Sequence, residues 1–156
     1  VLEMPKSLGI DESVISAKTK ELMDIANATF QEKNKDIHLI DLGEASCLAL
    51  SKILSEKKIK NVMALDERTM RMLVEKPDNL KKLFIKKLHA NVTSKRENYK
   101  YFEGAKIIRS AELVYIAYKK KLVNLKNGIV LDALLYAVKF NGCSISDVEI
   151  EEIKGL

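Results

Sequence analysis

The sequence predicts an α/β fold in which a small parallel sheet is flanked by a majority of helices. Three observations carry this expectation. Apolar residues recur at helical spacing over several long stretches, as at Leu48, Leu50, Ile53 and Leu54. Runs of strand composition, such as Asn61–Leu65 and Ala105–Ile108, are few and short. Helical and extended segments also alternate along the chain, which favours parallel strands joined by helical crossovers.

Taken in order, residues 1–9 are loop-like, punctuated by Pro5 and Gly9. Asp11-Glu-Ser13 marks a helix start, and a helix is predicted over Val14–Gln31 with Ile15, Leu22, Ile25 and Ala26 as its apolar stripe. Lys33-Asn-Lys35 is a turn, and Asp36–Ile40 has strand composition. Asp41 caps the next helix, and Glu44 three residues on completes a capping-box pattern. That helix runs to about Lys57. Asn61–Leu65 is a buried strand, followed by a helix over Glu67–Glu75 that Asp66 would cap and Pro77 would end. Asp78–Leu88 is a further helix, Asn91–Thr93 and Ala105–Ile108 are short strands, and Ser110 opens a helix over Ala111–Leu122 with Leu113, Ile116 and Ala117 facing inward. Ile129–Phe140 is apolar almost all round, so burial on most sides is expected. Asn141-Gly142 is a helix stop, and Ser146 with Glu149 forms a capping box for a terminal helix to Lys154.

The 156 residues suffice for one domain, and 47% hydrophobic with 31% charged residues suits a soluble globular chain. The net charge of +5 permits nucleic-acid binding, and equally fits a lysine-rich solvated surface. Cys47 and Cys143 form no zinc or CxxC spacing and read as small buried hydrophobes in an intracellular, reducing compartment. No segment approaches the roughly 20 apolar residues of a membrane span, so a cytoplasmic chain with no membrane partner is expected. Dinucleotide and P-loop motifs are absent, no GxSxG marks a serine nucleophile, and His38 and His89 form no ligand-spaced pair.

Acidic residues remain. Glu44 opens one helix, and Asp66 and Glu67 end the strand that follows it. In a βαβ crossover, Glu44 and Asp66 fall at the edge where open α/β sheets bind ligands. Two carboxylates there repel unless a cation lies between them. Each acid also has a plain structural role: Glu44 closes a capping box, Asp66 caps a helix and Glu67 favours the helix dipole.

Leu42-Gly-Glu-Ala-Ser, a helix, and then Val62-Met-Ala-Leu-Asp66-Glu-Arg resemble the centre of a PIN domain. Ser110–Leu122 resembles that family's next helix, and Leu131-Asp-Ala-Leu134 through Asn141-Gly142 and Ile145-Ser146 its closing helices. The resemblance covers roughly residues 36–76 and 107–153, with Lys81–Phe102 as an elaboration of a kind found in some archaeal members. It implies a PIN-like three-layer fold and a ribonuclease dependent on Mg2+ or Mn2+. Glu44, Asp66 and Glu67 would be the catalytic and metal-binding acids, and Glu112 an additional acid. The family's first acid lies on an N-terminal strand that has no counterpart in this sequence.

RNA is the expected partner, with a homodimer or a protein partner as further options. Arg68, Arg71 and Arg109 are expected to bind phosphate through their bidentate geometry; for Arg71 the competing role is a surface ion pair within its own helix. The alternative to an enzyme is a non-catalytic PIN-like module binding RNA or protein through Lys81–Tyr101, where basic residues alternate with aromatics. Inward packing of Leu83, Phe84 and Leu88 would leave those lysines merely solvated.

Overall fold

The computed structural model describes residues 8–123 and 128–156, so most of the loop expected over residues 1–9 lies outside the described residues. In chain order the elements are α1 (Glu12–Asn27), β1 (Phe30–Glu32), β2 (Lys35–Asp36), α2 (Leu42–Glu56), β3 (Met63–Ala64), α3 (Arg68–Glu75), α4 (Pro77–Leu88), β4 (Val92–Ser94), a 3-10 helix (Arg96–Tyr101), β5 (Ile107–Ile108), α5 (Ser110–Lys119), α6 (Gly128–Phe140) and α7 (Asp147–Gly155). At about 61% helix, with strands of two or three residues, the fold is mixed α/β with the expected helical majority.

The described residues fall into two compact units. The first is the chain up to Met63 with Thr69–Lys106; the second is Ala64–Arg68 with Ile107–Leu156. In the first unit α1 starts where expected, with Asp11 accepting from the Ser13 N–H at 2.8 Å. It ends at Asn27, four residues before the predicted Gln31, and the Asn27 side chain is bonded to a distant segment. Its Oδ1 accepts from the N–H groups of Leu39 and Ile40 at 2.6 and 3.1 Å, and its Nδ2 donates to the Ile40 carbonyl at 3.2 Å. Phe30–Glu32 then joins a sheet. Lys33 and Asn34, with φ of 48° and 63°, form a two-residue turn of the primed kind between β1 and β2.

A two-residue loop can join only antiparallel strands. The three-stranded sheet, in the order β2-β1-β4, is accordingly antiparallel throughout, which corrects the expectation of a parallel sheet for this part of the chain. The pair β3–β5 is parallel: Met63 N–H donates to Lys106 O and Leu65 N–H to Ile108 O, so donor and acceptor advance together. The strand predicted as buried is only half so, with Met63 buried and Val62 54% exposed.

Helix α1 packs on α2, and Leu22, Ala26, Leu48, Ala49 and Ile53 are all buried. Phe30 is wholly buried, with Phe84 edge-on at 5.7 Å and Tyr99 at 6.1 Å between ring centres. These two aromatics of the Lys81–Tyr101 stretch are therefore spent on packing. In the second unit Ala111, Leu131, Leu135, Cys143, Ile145, Ile150 and Ile153 form the core, with Val114, Tyr115 and Tyr118 against it. Two predicted faces are corrected here. Leu113 and Ile116 are exposed, and the near-uniformly apolar α6 leaves Ile129 and Phe140 71% and 82% exposed, because the core uses the Leu131–Leu135 side. Gly142, with φ of 105°, closes α6 with bonds from its N–H to Lys139 O and from Cys143 N–H to Val138 O.

Candidate functional site

Glu44 lies in the first unit, in the opening turn of α2, and is half-buried. Its Oε2 accepts from the Asp41 N–H at 3.1 Å, which is the capping contact predicted for it. Cys47, one turn on, is exposed rather than buried, because Ala45, Leu48 and Ala49 take the inward side of α2.

Asp66 lies in the second unit, directly after the residue whose N–H extends the parallel pair. Its carboxylate does not cap α3, as the sequence led one to expect, but reaches the N-terminus of α5. Oδ1 accepts from the Ser110 N–H at 2.8 Å and Oδ2 from the Ser110 hydroxyl at 2.6 Å. Its backbone carbonyl accepts from the Ser144 N–H at 3.3 Å. An anion at a helix N-terminus meets unsatisfied N–H groups and the positive end of the dipole. Burial pushes the Asp66 carboxyl up. The bonds from Ser110, a bond from the Cys143 thiol and the charge of Arg109 outweigh it, so the group is held below the usual carboxylate range. Asp66 is thus ionised at neutral pH. Cys143, buried beside this carboxylate and bonded to it, is pushed up to about 11 and stays a neutral thiol.

Arg109 has a different place from the phosphate-binding one expected of it. It is 7% exposed. Its Nε donates to Glu112 Oε1 at 2.8 Å, Nη1 donates to Glu149 Oε1 at 2.8 Å and to Ser144 O at 3.1 Å, and Nη2 also donates to Glu112 Oε1. The Arg109 backbone N–H donates to Glu112 Oε2 at 2.7 Å. Both oxygens of Glu112 therefore serve Arg109, which takes Glu112 out of the role of an additional site acid. Glu149 also accepts from Ser146 in the predicted capping box. Burial raises the Glu149 carboxyl, but the Ser146 N–H, the Arg109 side chain and the Ser146 hydroxyl bring it down to about 2. No buried side-chain nitrogen or oxygen lacks a partner among the described residues.

Glu67 and Arg68 are exposed beside Asp66 in the second unit, and Arg71 is half-buried in the first. No group of three or more His, Cys, Asp or Glu side chains is gathered around one point among the described residues. Sequence reasoning takes Ser110 as a helix start only and Cys143 as core only, and it does not link Glu149 to Arg109. Ser110 carried a signal, since a hydroxyl at a helix start is a natural donor to an incoming acid. No family model, no curated protein and no solved structure matches this chain, so the PIN-domain resemblance stands on the residues that carry it.

Proposed function

We propose that the chain hydrolyses RNA phosphodiester bonds with the help of a divalent metal, as a ribonuclease of the PIN-domain type. The observation that supports this most is the state of Asp66. It is an ionised carboxylate at the carboxyl end of a parallel strand, where α/β sheets collect ligands. Hard oxygen donors of this kind suit Mg2+ or Mn2+, and Mg2+ is commonly held by one or two carboxylates, with water and substrate phosphate completing its shell. When bound, such an ion supplies a water activated at neutral pH and offsets charge on the phosphate. Asp66 is the residue that would hold it, with Ser110 fixing the carboxylate's orientation through one bond to each oxygen. Glu67 stands next to it as a further acceptor, and Glu44 enters through the resemblance alone. Arg68 and Arg71 keep the phosphate-binding role expected of them from their place soon after the acids in the sequence.

A second reading has its own observation. Two donors from Ser110 already give Asp66 a complete structural task as a cap supplied to α5 from outside the helix. A non-catalytic module that binds RNA or protein needs nothing more from it. Incubating a mixed RNA pool with Mn2+, Mg2+ or EDTA separates the two. The ribonuclease cleaves in metal, stops in EDTA and is lost in Asp66→Asn, which preserves shape and the Ser110 contact to Oδ1. Absence of cleavage by the wild type in either metal refutes the ribonuclease and leaves the binding module.

A further inference from the structure

The first unit carries a cleft of about 320 Å3 at the C-terminal end of α2, lined by Ser51, Ser55, Lys58, Lys60, Asn61 and Lys106, among others. Three of these side chains are lysines; Lys58 and Lys60 are exposed and Lys106 lies at the rim. None of the three has a carboxylate within 4 Å among the described residues. Glu56 and Glu103, the acids nearest in sequence, both act on Lys52, whose Nζ donates to the Glu103 carbonyl at 2.5 Å.

A helix C-terminus ordinarily presents bare carbonyls, which repel anions. Here the chain consumes those of Ile53, Leu54 and Ser55. Lys58, with φ of 60°, lets its own N–H reach Ser55 O, while Ile59 N–H reaches Leu54 O and Lys57 N–H reaches Ile53 O. Asn61 completes the cover: its Nδ2 donates to Ser51 O, Ser55 Oγ and Ile59 O, and its Oδ1 accepts from the Ser51 hydroxyl at 2.6 Å. Most polar backbone groups at this helix end are therefore hydrogen-bonded, and three lysines stand among the residues lining the cleft.

We propose that this cleft binds the phosphate backbone of a single-stranded nucleic acid, without reading its sequence. Ammonium groups on flexible stems act as point charges and suit a run of phosphates rather than one fixed anion. No aromatic side chain lines the cleft, so bases have no stacking platform there. The choice of a nucleic-acid strand over an isolated phosphate rests on the ribonuclease reading; the positive cleft itself does not.

The test is fluorescence anisotropy of a 5′-labelled 12-nucleotide RNA of mixed sequence, titrated in EDTA so that cleavage plays no part. The wild type is compared with Lys58→Gln/Lys60→Gln/Lys106→Gln and with a control of equal charge change at exposed lysines away from the cleft and from the Lys81–Tyr101 stretch, Lys20→Gln/Lys35→Gln/Lys120→Gln. Removing three ammonium–phosphate pairs should reduce the steepness of log affinity against log salt by about 2. At 50 mM salt the cleft triple should bind about 20-fold more weakly and the control within about 3-fold of wild type. The three single substitutions, each costing about 2- to 3-fold, decide the matter if the triple is poorly folded by circular dichroism. Equal weakening in both triples, no binding by the wild type, or binding to phosphatidylserine vesicles in place of RNA would overturn the proposal. A cleft that binds RNA in a chain that never cleaves it would sink the ribonuclease reading alone.

Discussion

Replacing Arg109 by methionine keeps an apolar stem of similar length and deletes the guanidinium. Glu112 and Glu149 then lose their shared partner, and the Ser144 carbonyl loses a donor. Removing one member of a buried ion pair costs about 3–5 kcal/mol when its partner stays buried and charged. Here the arginine side chain is 9% exposed, but the carboxylates are 36% and 35% exposed, so water recovers part of their solvation. The expected destabilisation is therefore about 2–3 kcal/mol. Urea unfolding followed by far-UV circular dichroism measures it, and hydrogen exchange of α5 and α7 amides assigns it to the second unit. The comparison is Arg96→Met, since Arg96 pairs with Asp78 at 3.0 Å with side chains 72% and 56% exposed. That change should cost no more than about 0.5 kcal/mol. If the two substitutions cost the same, the idea that burial makes Arg109 the tie of the second unit is refuted.

Glu149 makes the same network sensitive to acid. Its folded value of about 2 lies below its ordinary 4.5, so its contribution is present above pH 4.5 and is lost as pH falls toward 2. With solvent screening discounted, Glu149→Gln should destabilise by about 1–2 kcal/mol at pH 7 and by almost nothing at pH 2; a gap independent of pH in urea melts would contradict this. Asn27→Ala removes three hydrogen bonds that dock Leu39 and Ile40, and should cost about 2–3 kcal/mol in the same melts. Lys33→Asn with Asn34→Gly puts the residues best suited to positive φ into the β1–β2 turn, and should raise stability by about 0.5–1 kcal/mol. Partial burial and the Glu44 charge push the Cys47 thiol up as well, but it is exposed, so at pH 8 under native conditions iodoacetamide should modify Cys47 well before Cys143, which should react only once urea unfolds the chain; equal labelling would refute the burial of Cys143.

Local signals were the legible ones. The Asp41–Glu44 and Ser146–Glu149 contacts, the end of α3 just ahead of Pro77 and Gly142 at a helix end all depend on residues within a turn of one another. Expectations that depended on distant partners failed. Nothing near Asn27 announces its bonds to Leu39 and Ile40, and nothing near Asp66 announces Ser110, 44 residues on. Periodicity also misjudged α6, because an apolar sequence states which residues are fit for burial and not how many neighbours are on hand to bury them. The acids of the candidate site were visible as residue types. Their surroundings were not: Arg109 looked like a surface cation until its two glutamates were placed around it.

The second unit borrows five residues from the middle of the chain, Ala64–Arg68. During synthesis at about 5–20 residues per second, Asp66 leaves the ribosome roughly 2–9 s before Ser110 does. Through that interval the segment has neither its strand partner nor the donors that hold its carboxylate. The excursion Thr69–Lys106 must be made before the second unit can close. A fragment starting at Ile107 would lack Asp66 altogether, leaving the first turn of α5 without its external acceptor. The segment that holds Asp66 is thus secured only after the excursion has been made, and any variant that slows closure of the excursion prolongs its exposure to proteases.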